Sequence, residues 1–118
     1  MVINYDQLDE ETKKKLQNFA DLQQTLDLLR QQHAQIDALL KETEVVIDEL
    51  EKADADSTVY KSIGGVMIKI ERDKLLAEKK SSKVTLNMNL KTLTQKIERT
   101  SKALEDIQKS LQLASQNQ

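Results

Sequence analysis

The sequence predicts an all-α fold with a small β-hairpin: a long antiparallel two-helix coiled coil whose two arms are joined by one β-hairpin. Apolar residues recur at alternating spacings of three and four along two long stretches, which is the period of a coiled coil. The only two glycines, Gly64 and Gly65, stand side by side between these stretches, and the 118 residues include no proline. Turn signals are therefore almost confined to the middle of the chain.

The composition favours long helices over a compact globular core. Charged residues make up 32% of the chain and aromatic residues only 3%, and the length suits one folding unit spanning residues 1–118. The chain has no cysteine, which excludes disulfides, thiolate metal sites and cysteine nucleophiles. No stretch has the pattern of a signal peptide or a membrane span. We therefore expect a cytoplasmic protein without membrane contact.

The first predicted helix arm covers about residues 6–54 and begins near Asp6 or Asp9, where acidic side chains suit a helix N-terminus. From Phe19 to Leu50 the heptad pattern is continuous, and we call its a and d positions the seam. The a positions are Phe19, Leu26, His33, Leu40 and Ile47. The d positions are Leu22, Leu29, Ile36, Thr43 and Leu50. Such a run predicts a helix that pairs with a second helix.

The β-hairpin is predicted at about residues 58–70. A two-residue Gly-Gly loop pairs Ile63 with Val66, Lys61 with Ile68, and Val59 with Ile70. These pairs place one charged and five apolar side chains on one face. A lone two-stranded hairpin is only marginally stable in water, so we expect this face to be buried in an assembly. The predicted assembly residues are Val59, Tyr60, Ile63, Gly64, Gly65, Val66, Ile68 and Ile70.

The second arm is predicted at about residues 73–115, with Asp73 as its cap. Its seam residues are Leu76, Lys79, Lys83, Leu86, Leu90, Leu93, Ile97, Thr100, Leu104, Ile107, Leu111 and Ala114. The stretch Lys83–Leu90 also alternates apolar and polar residues, as a strand does. We expect it to be helical because helical pattern flanks it on both sides; the alternative is a short strand or a soft point in the helix. The lysines and threonines in the two seams set the register or, alternatively, loosen the coil near the hairpin.

Two registers of the arms fit the sequence, pairing Leu26 with either Thr100 or Ile107. In both, the chain ends lie about 70 Å from the hairpin, at about 1.5 Å of rise per residue. Apolar residues at these ends indicate either frayed helix ends or a surface that binds apolar partners. The candidate binding residues are Val2, Ile3, Tyr5, Leu8, Leu111 and Leu113.

Charge and motif content argue against catalysis and against nucleic-acid binding. Residues 1–56 hold 14 acidic and 6 basic side chains, while residues 57–118 hold 6 acidic and 12 basic ones, so much of this charge is neutralised when the arms pair. The single histidine, His33, lies in the seam, where a register-setting role is expected. No phosphate-binding loop, dinucleotide fingerprint or metal motif is present, so we expect neither an enzyme nor a cofactor. A remote alternative is a nucleic-acid-associated coiled coil that uses Lys79, Lys80 and Lys83.

The hairpin segment VYKSIGGVMIKIERDKL resembles the β class of prefoldin subunits, of archaeal type. The matching elements are Val59-Tyr60-Lys61, the turn glycine Gly64 and the strand Val66-Met67-Ile68-Lys69. The arrangement of coiled coil, hairpin and coiled coil covers the whole chain. A single hairpin matches the β class, because the α class carries two.

The resemblance implies a molecular chaperone that works without ATP. It implies a hexamer of two α-class and four β-class subunits, whose hairpins form a β-barrel platform with the coiled coils hanging from it. Non-native client proteins would be held at the free tips and passed to a group II chaperonin. A structural coiled-coil tether without client binding is the alternative function.

Overall fold

The computed structural model describes residues 8–116, and side chains through residue 114. Helix α1 (Glu10–Lys52) and helix α2 (Arg72–Gln116) are joined by strands β1 (Val59–Ile63) and β2 (Val66–Ile70). The predicted fold class, two long helices joined by one antiparallel hairpin, is confirmed. The described residues form two units: one is Ala34–Thr92, which contains the hairpin, and the other consists of the described residues on both sides of that range.

Helix α1 begins after Asp9, whose side chain accepts a hydrogen bond from a backbone amide of the first turn that has no partner within the helix. The Thr12 amide donates to Asp9 Oδ1 at 2.7 Å, and the Lys13 amide donates to the Asp9 carbonyl at 3.0 Å. These bonds make Asp9 the N-cap, one of the two starts that the sequence predicted. The hydrogen bonds from Thr12 lower the pKa of the Asp9 carboxyl below its ordinary value.

In the unit Ala34–Thr92, seam residues of both helices form the core together with Leu75. The buried residues there are Leu40, Thr43, Ile47, Leu50, Leu75 and Leu86. Thr43 is the one polar member, and its hydroxyl donates to the Leu39 carbonyl at 2.8 Å within its own helix. A buried hydroxyl costs little when it is hydrogen-bonded, which explains how the predicted seam tolerates this threonine.

In the other unit Leu26 is buried, and the remaining seam residues are half-buried. His33 Nε2 lies 3.4 Å from Thr94 Oγ1, so the two helices meet at this level. Pairing Leu26 with Thr100 places His33 opposite Leu93, beside Thr94, whereas pairing Leu26 with Ile107 places His33 opposite Thr100. The structure therefore supports the first of the two predicted registers.

The start of α2 differs from the prediction that Asp73 caps this helix. The Leu75 amide donates to the Glu71 carbonyl at 3.1 Å, so Glu71 occupies the cap position and α2 begins at Arg72. Asp73 lies inside the first turn, where its Oδ1 accepts a bond of 2.7 Å from Arg72 Nη1. Asp73 therefore orients an arginine and adds favourable charge to the helix N-terminus.

The alternating stretch Lys83–Leu90 is helical, as expected, and lies within α2. Leu86 is buried and Leu90 half-buried, while Val84 and Met88 are exposed. The apparent strand period arises because this part of the helix carries apolar residues both in the seam and on the outer surface.

Candidate functional site

Gly64 and Gly65 form the two-residue turn that joins β1 to β2. Gly64 has φ of 55° and Gly65 has φ of 82°, and they are the positive-φ residues of the described chain. Two successive positive φ values define a type I′ turn, whose twist matches that of the flanking strands. A Cβ at either glycine would meet no atom within 4 Å beyond the adjacent residues, so backbone conformation, not space, is what requires glycine here.

The strand register is the one expected from the sequence. Val59 pairs with Ile70, Lys61 with Ile68, and Ile63 with Val66. Because side chains alternate along a strand, these six residues share one face, which we call the seam-side face. Tyr60, Ser62, Met67 and Lys69 lie on the opposite face, which we call the outer face.

Apolar side chains of the hairpin remain exposed on both faces within the single chain. Val59 and Ile70, at the base of the hairpin, are half-buried, whereas Ile63, Val66 and Ile68 toward the turn are exposed. Val66 of the seam-side face is 60% exposed, and Met67 of the outer face is 62% exposed. A two-stranded ribbon with so much exposed apolar surface has the properties of a binding element.

Lys61 is the one charged residue on the seam-side face, and it is neutralised within the chain. Its ammonium group donates a short hydrogen bond to Glu78 Oε1 on α2. This bond lowers the pKa of the Glu78 carboxyl below its ordinary value of 4.5. The pair joins the hairpin to the helix and leaves an apolar surface between Lys61 and the turn.

Acidification is expected to weaken this link between hairpin and helix. A carboxyl with a lowered folded-state pKa contributes stability above its unfolded pKa, near 4.5, and loses it as pH falls through the folded value. In Lys61→Met the Glu78 pKa should rise toward 4.5, as followed by NMR titration of the carboxyl carbon. Glu42→Gln, a change at an exposed carboxylate of α1, is the control and should leave the Glu78 titration unchanged. An identical Glu78 pKa in Lys61→Met would contradict the ion pair.

Arg72 holds the base of the hairpin to the end of α1. Its Nε donates to the Leu50 carbonyl at 2.7 Å, and its Nη2 donates to the Glu51 carbonyl at 3.2 Å. These carbonyls belong to the last turn of α1, whose acceptors have no partner inside the helix. A guanidinium there satisfies two acceptors and places positive charge at the negative end of the helix dipole.

The candidate residues at the chain ends are only partly described. Val2, Ile3 and Tyr5 lie outside the described residues. Leu8 and Leu111 are half-buried, and Leu113 in the last turns of α2 is 61% exposed. Leu113 therefore provides apolar surface that a partner can reach.

Two features of the hairpin base were not foreseen from the sequence. The contact of Arg72 with α1 is not predicted, because the sequence around an arginine at a helix start does not indicate which carbonyls it will contact. Leu75 is buried although the seam was placed at its neighbour Leu76, which is half-buried. Both positions lie where the heptad pattern starts, and adjacent leucines leave the choice of the inward residue open.

Two kinds of feature are absent from the described part of the chain. Among residues 8–116, no helix has an 18-residue window apolar enough to cross a membrane. Within the same part of the chain, no three His, Cys, Asp or Glu side chains are grouped as metal ligands.

Comparisons with known proteins place the hairpin and its two helices in one family. The model of the prefoldin subunit family matches residues 13–118. The prefoldin subunit beta of Archaeoglobus fulgidus is 34% identical over 91 residues, which cover 77% of this chain and 78% of the relative. The prefoldin subunit beta of Methanococcoides burtonii is 31% identical over 104 residues, covering 88% of this chain and 89% of the relative.

A solved structure has the same fold. The crystal structure of the prefoldin beta subunit from Thermococcus strain KS-1 matches with a TM-score of 0.82 and 28% identity, covering 90% of this chain and 93% of that one. The prefoldin beta2 subunit of the same strain, at 16% identity, shares the fold with a TM-score of 0.62. The chain thus belongs to the prefoldin subunit family, in its β class, and its role is that of a chaperone subunit.

Proposed function

We propose that this chain is a β-class subunit of a chaperone that holds non-native polypeptides without ATP and delivers them to a group II chaperonin. The proposed complex is a hexamer of two α-class and four β-class subunits, located in the cytoplasm. The hairpin joins the subunits, and the apolar residues at the chain ends contact the client protein.

The observation that carries the assembly role is the apolar surface that the hairpin exposes on both faces. Ile63, Val66 and Ile68 are exposed on one face, and Tyr60 and Met67 on the other. Within residues 8–116, no further strand lies beside the outer edges of β1 and β2. Strands from other subunits would bury the apolar side chains and pair these edges, which removes the two costs of an isolated hairpin.

The proposed client role rests on apolar residues at the chain ends together with membership of the family. Leu113 is exposed in the described part of these ends, and Leu8 and Leu111 are half-buried. Non-native proteins expose apolar side chains, so apolar surfaces can hold them without recognising a particular sequence. A structural tether is the alternative function, and it needs only one defined folded partner.

The two functions separate in a protection assay. The full chain mixed with an archaeal α-class prefoldin subunit should give a particle with the mass of a hexamer by light scattering. That particle should suppress the aggregation of several unrelated denatured proteins without ATP. A tether would instead bind one folded partner and leave the unrelated proteins to aggregate. Assembly without protection would therefore contradict the client role and leave the assembly role in place.

A further inference from the structure

The outer surface of α2 near its start carries an apolar pair that neither the seam nor the hairpin explains. Val84 is 61% exposed and Met88 is 64% exposed. They lie four residues apart and therefore on one face of the helix, one turn from each other. The other exposed residues within 81–89 are uncharged: Ser81, Ser82, Thr85, Asn87 and Asn89.

Lysines border this pair at both ends of the same face. Lys80, Val84, Met88 and Lys91 follow one another at spacings of four, four and three residues, which keeps all four in one stripe. We call this set the α2 stripe. Residues 79–92 contain four lysines and no acidic residue, although the whole chain has 20 acidic residues among its 118. The stripe therefore presents a short apolar surface between two positive charges.

The two lysines of the stripe differ in their surroundings. Lys80 Nζ lies 3.3 Å from Glu51 Oε1 of α1, and both side chains are at least half exposed. Lys91 is exposed and makes no ion pair within residues 8–116. An exposed ion pair exchanges partners at little cost, so both lysines are available to an incoming carboxylate.

We propose that the α2 stripe binds an amphipathic helix of a protein partner, with the partner's apolar residues on Val84 and Met88 and its carboxylates on Lys80 and Lys91. The match of charge selects an acidic partner, and two apolar side chains within one turn fit the apolar face of a helix. This inference goes beyond the proposed assembly and client roles and does not depend on either.

Other occupants fit the stripe less well. Single-stranded nucleic acid is bound by positively charged grooves that also carry aromatic side chains on which the bases stack, and residues 79–92 contain no aromatic residue. A second copy of this chain would have to bring an apolar surface bordered by carboxylates. Val45 on α1 is 62% exposed and follows Glu42 and Glu44, but it is an isolated apolar residue and forms no stripe of this length.

Peptide binding to the full chain tests the proposal. The probe is a labelled 20-residue helical peptide in which two leucines are bracketed by glutamates at the spacings of the stripe. The control peptide carries lysines in place of those glutamates. Fluorescence anisotropy at low salt should show the acidic peptide binding at least about tenfold more tightly than the basic one, with the difference falling as salt increases.

Variants of the chain assign the binding to this surface. Val84→Ser with Met88→Ser should weaken acidic-peptide binding at least about tenfold, and Lys91→Glu should also weaken it. Val45→Ser is the matched control, since it removes an equally exposed valine from acidic surroundings, and it should have no effect. Glu51→Gln releases Lys80 and should tighten binding by up to about fivefold. Circular dichroism should show equal helix content throughout, because every substituted side chain is exposed.

Several results would overturn the proposal. Equal affinity for the two peptides would contradict recognition by complementary charge. Unchanged binding by the Val84→Ser, Met88→Ser variant would show that the peptide does not bind at the α2 stripe. Competition by a 20-nucleotide single-stranded RNA would assign the surface to nucleic acid. If the particles formed by the same double variant have a lower mass than those of the unchanged chain, the stripe binds a second copy of this chain instead.

Discussion

Replacing Ile68 by Lys is expected to dissociate the assembled complex into small species. Ile68 lies on the seam-side face of the hairpin and is exposed in the single chain, so the substitution does not disturb a core within it. In the proposed assembly the same position is covered by another subunit. A charge buried there without a partner costs several kcal/mol. A loss of this size in the binding free energy between two subunits is enough to separate most of them.

The neighbouring charge makes this substitution more severe. Ile68 pairs across the hairpin with Lys61, whose ammonium group is already bonded to Glu78. A lysine at position 68 would place a second positive charge directly opposite the first, with no second carboxylate on the hairpin, since residues 57–70 contain no acidic residue. Val66→Asp is a second route to the same result, through a buried negative charge.

Size measurement by light scattering checks this expectation with two controls. Leu39→Lys introduces the same charge at an exposed leucine of α1, and it should leave the complex at its normal size. Met67→Lys tests the outer face of the hairpin and shows whether that face is also covered. A normal-sized complex from both Ile68→Lys and Val66→Asp would refute the assembly role of the seam-side face.

The main elements could be predicted because each rests on local and repetitive chemistry. The hairpin register follows from two adjacent glycines and the two-residue period of strands, and the structure reproduces each expected pair. The seam follows from the heptad period, and every residue placed in it from Phe19 to Ala114 is buried or half-buried. Such patterns need no knowledge of distant contacts.

The base of the hairpin could not be predicted because it depends on residues far apart in sequence. Arg72 reaches carbonyls of Leu50 and Glu51, and Lys61 reaches Glu78 across a chain reversal. Long side chains have many rotamers, and every helix end has free carbonyls whatever its sequence. The sequence therefore does not show which acceptor a long side chain will reach. The prediction that Asp73 caps α2 is wrong for a local reason: a carboxylate near a helix start can cap the helix or accept a bond from a neighbouring arginine, and here it accepts one from Arg72.

The exposed residues of α2 show a different limit. The alternation through Val84, Leu86, Met88 and Leu90 has the period of a strand, although the helical flanks favour a helix. The helix is confirmed, and its outer apolar residues are what produced the second period. A pattern that conflicts with the local fold can therefore mark a second surface, which here is the α2 stripe.

Removal of the chain ends is expected to weaken client protection strongly while leaving assembly intact. A chain without residues 1–8 and 111–118 keeps β1, β2 and most of both helices, including the Arg72 and Lys61 contacts at the hairpin. It loses the apolar residues proposed to hold the client. At least about a tenfold higher concentration of complex should then be needed for equal protection, which corresponds to a loss of about 1.4 kcal/mol in client binding.

A point variant makes the same test without shortening the chain. Leu113→Asp places a charge at a side chain that is 61% exposed, so helix α2 should tolerate it. Leu28→Asp is the matched control, because Leu28 is similarly exposed on α1 but does not lie at a chain end. Light scattering of a denatured client should show reduced protection by the first variant and full protection by the second.

The two variants also distinguish the proposed site from general surface hydrophobicity. Equal loss of protection in Leu28→Asp and Leu113→Asp would mean that clients contact exposed apolar residues along the helices. Undiminished protection by the shortened chain would refute the tip assignment altogether. Loss confined to Leu113→Asp and the shortened chain is the result that only a site at the chain ends produces, because the hairpin is unchanged in both.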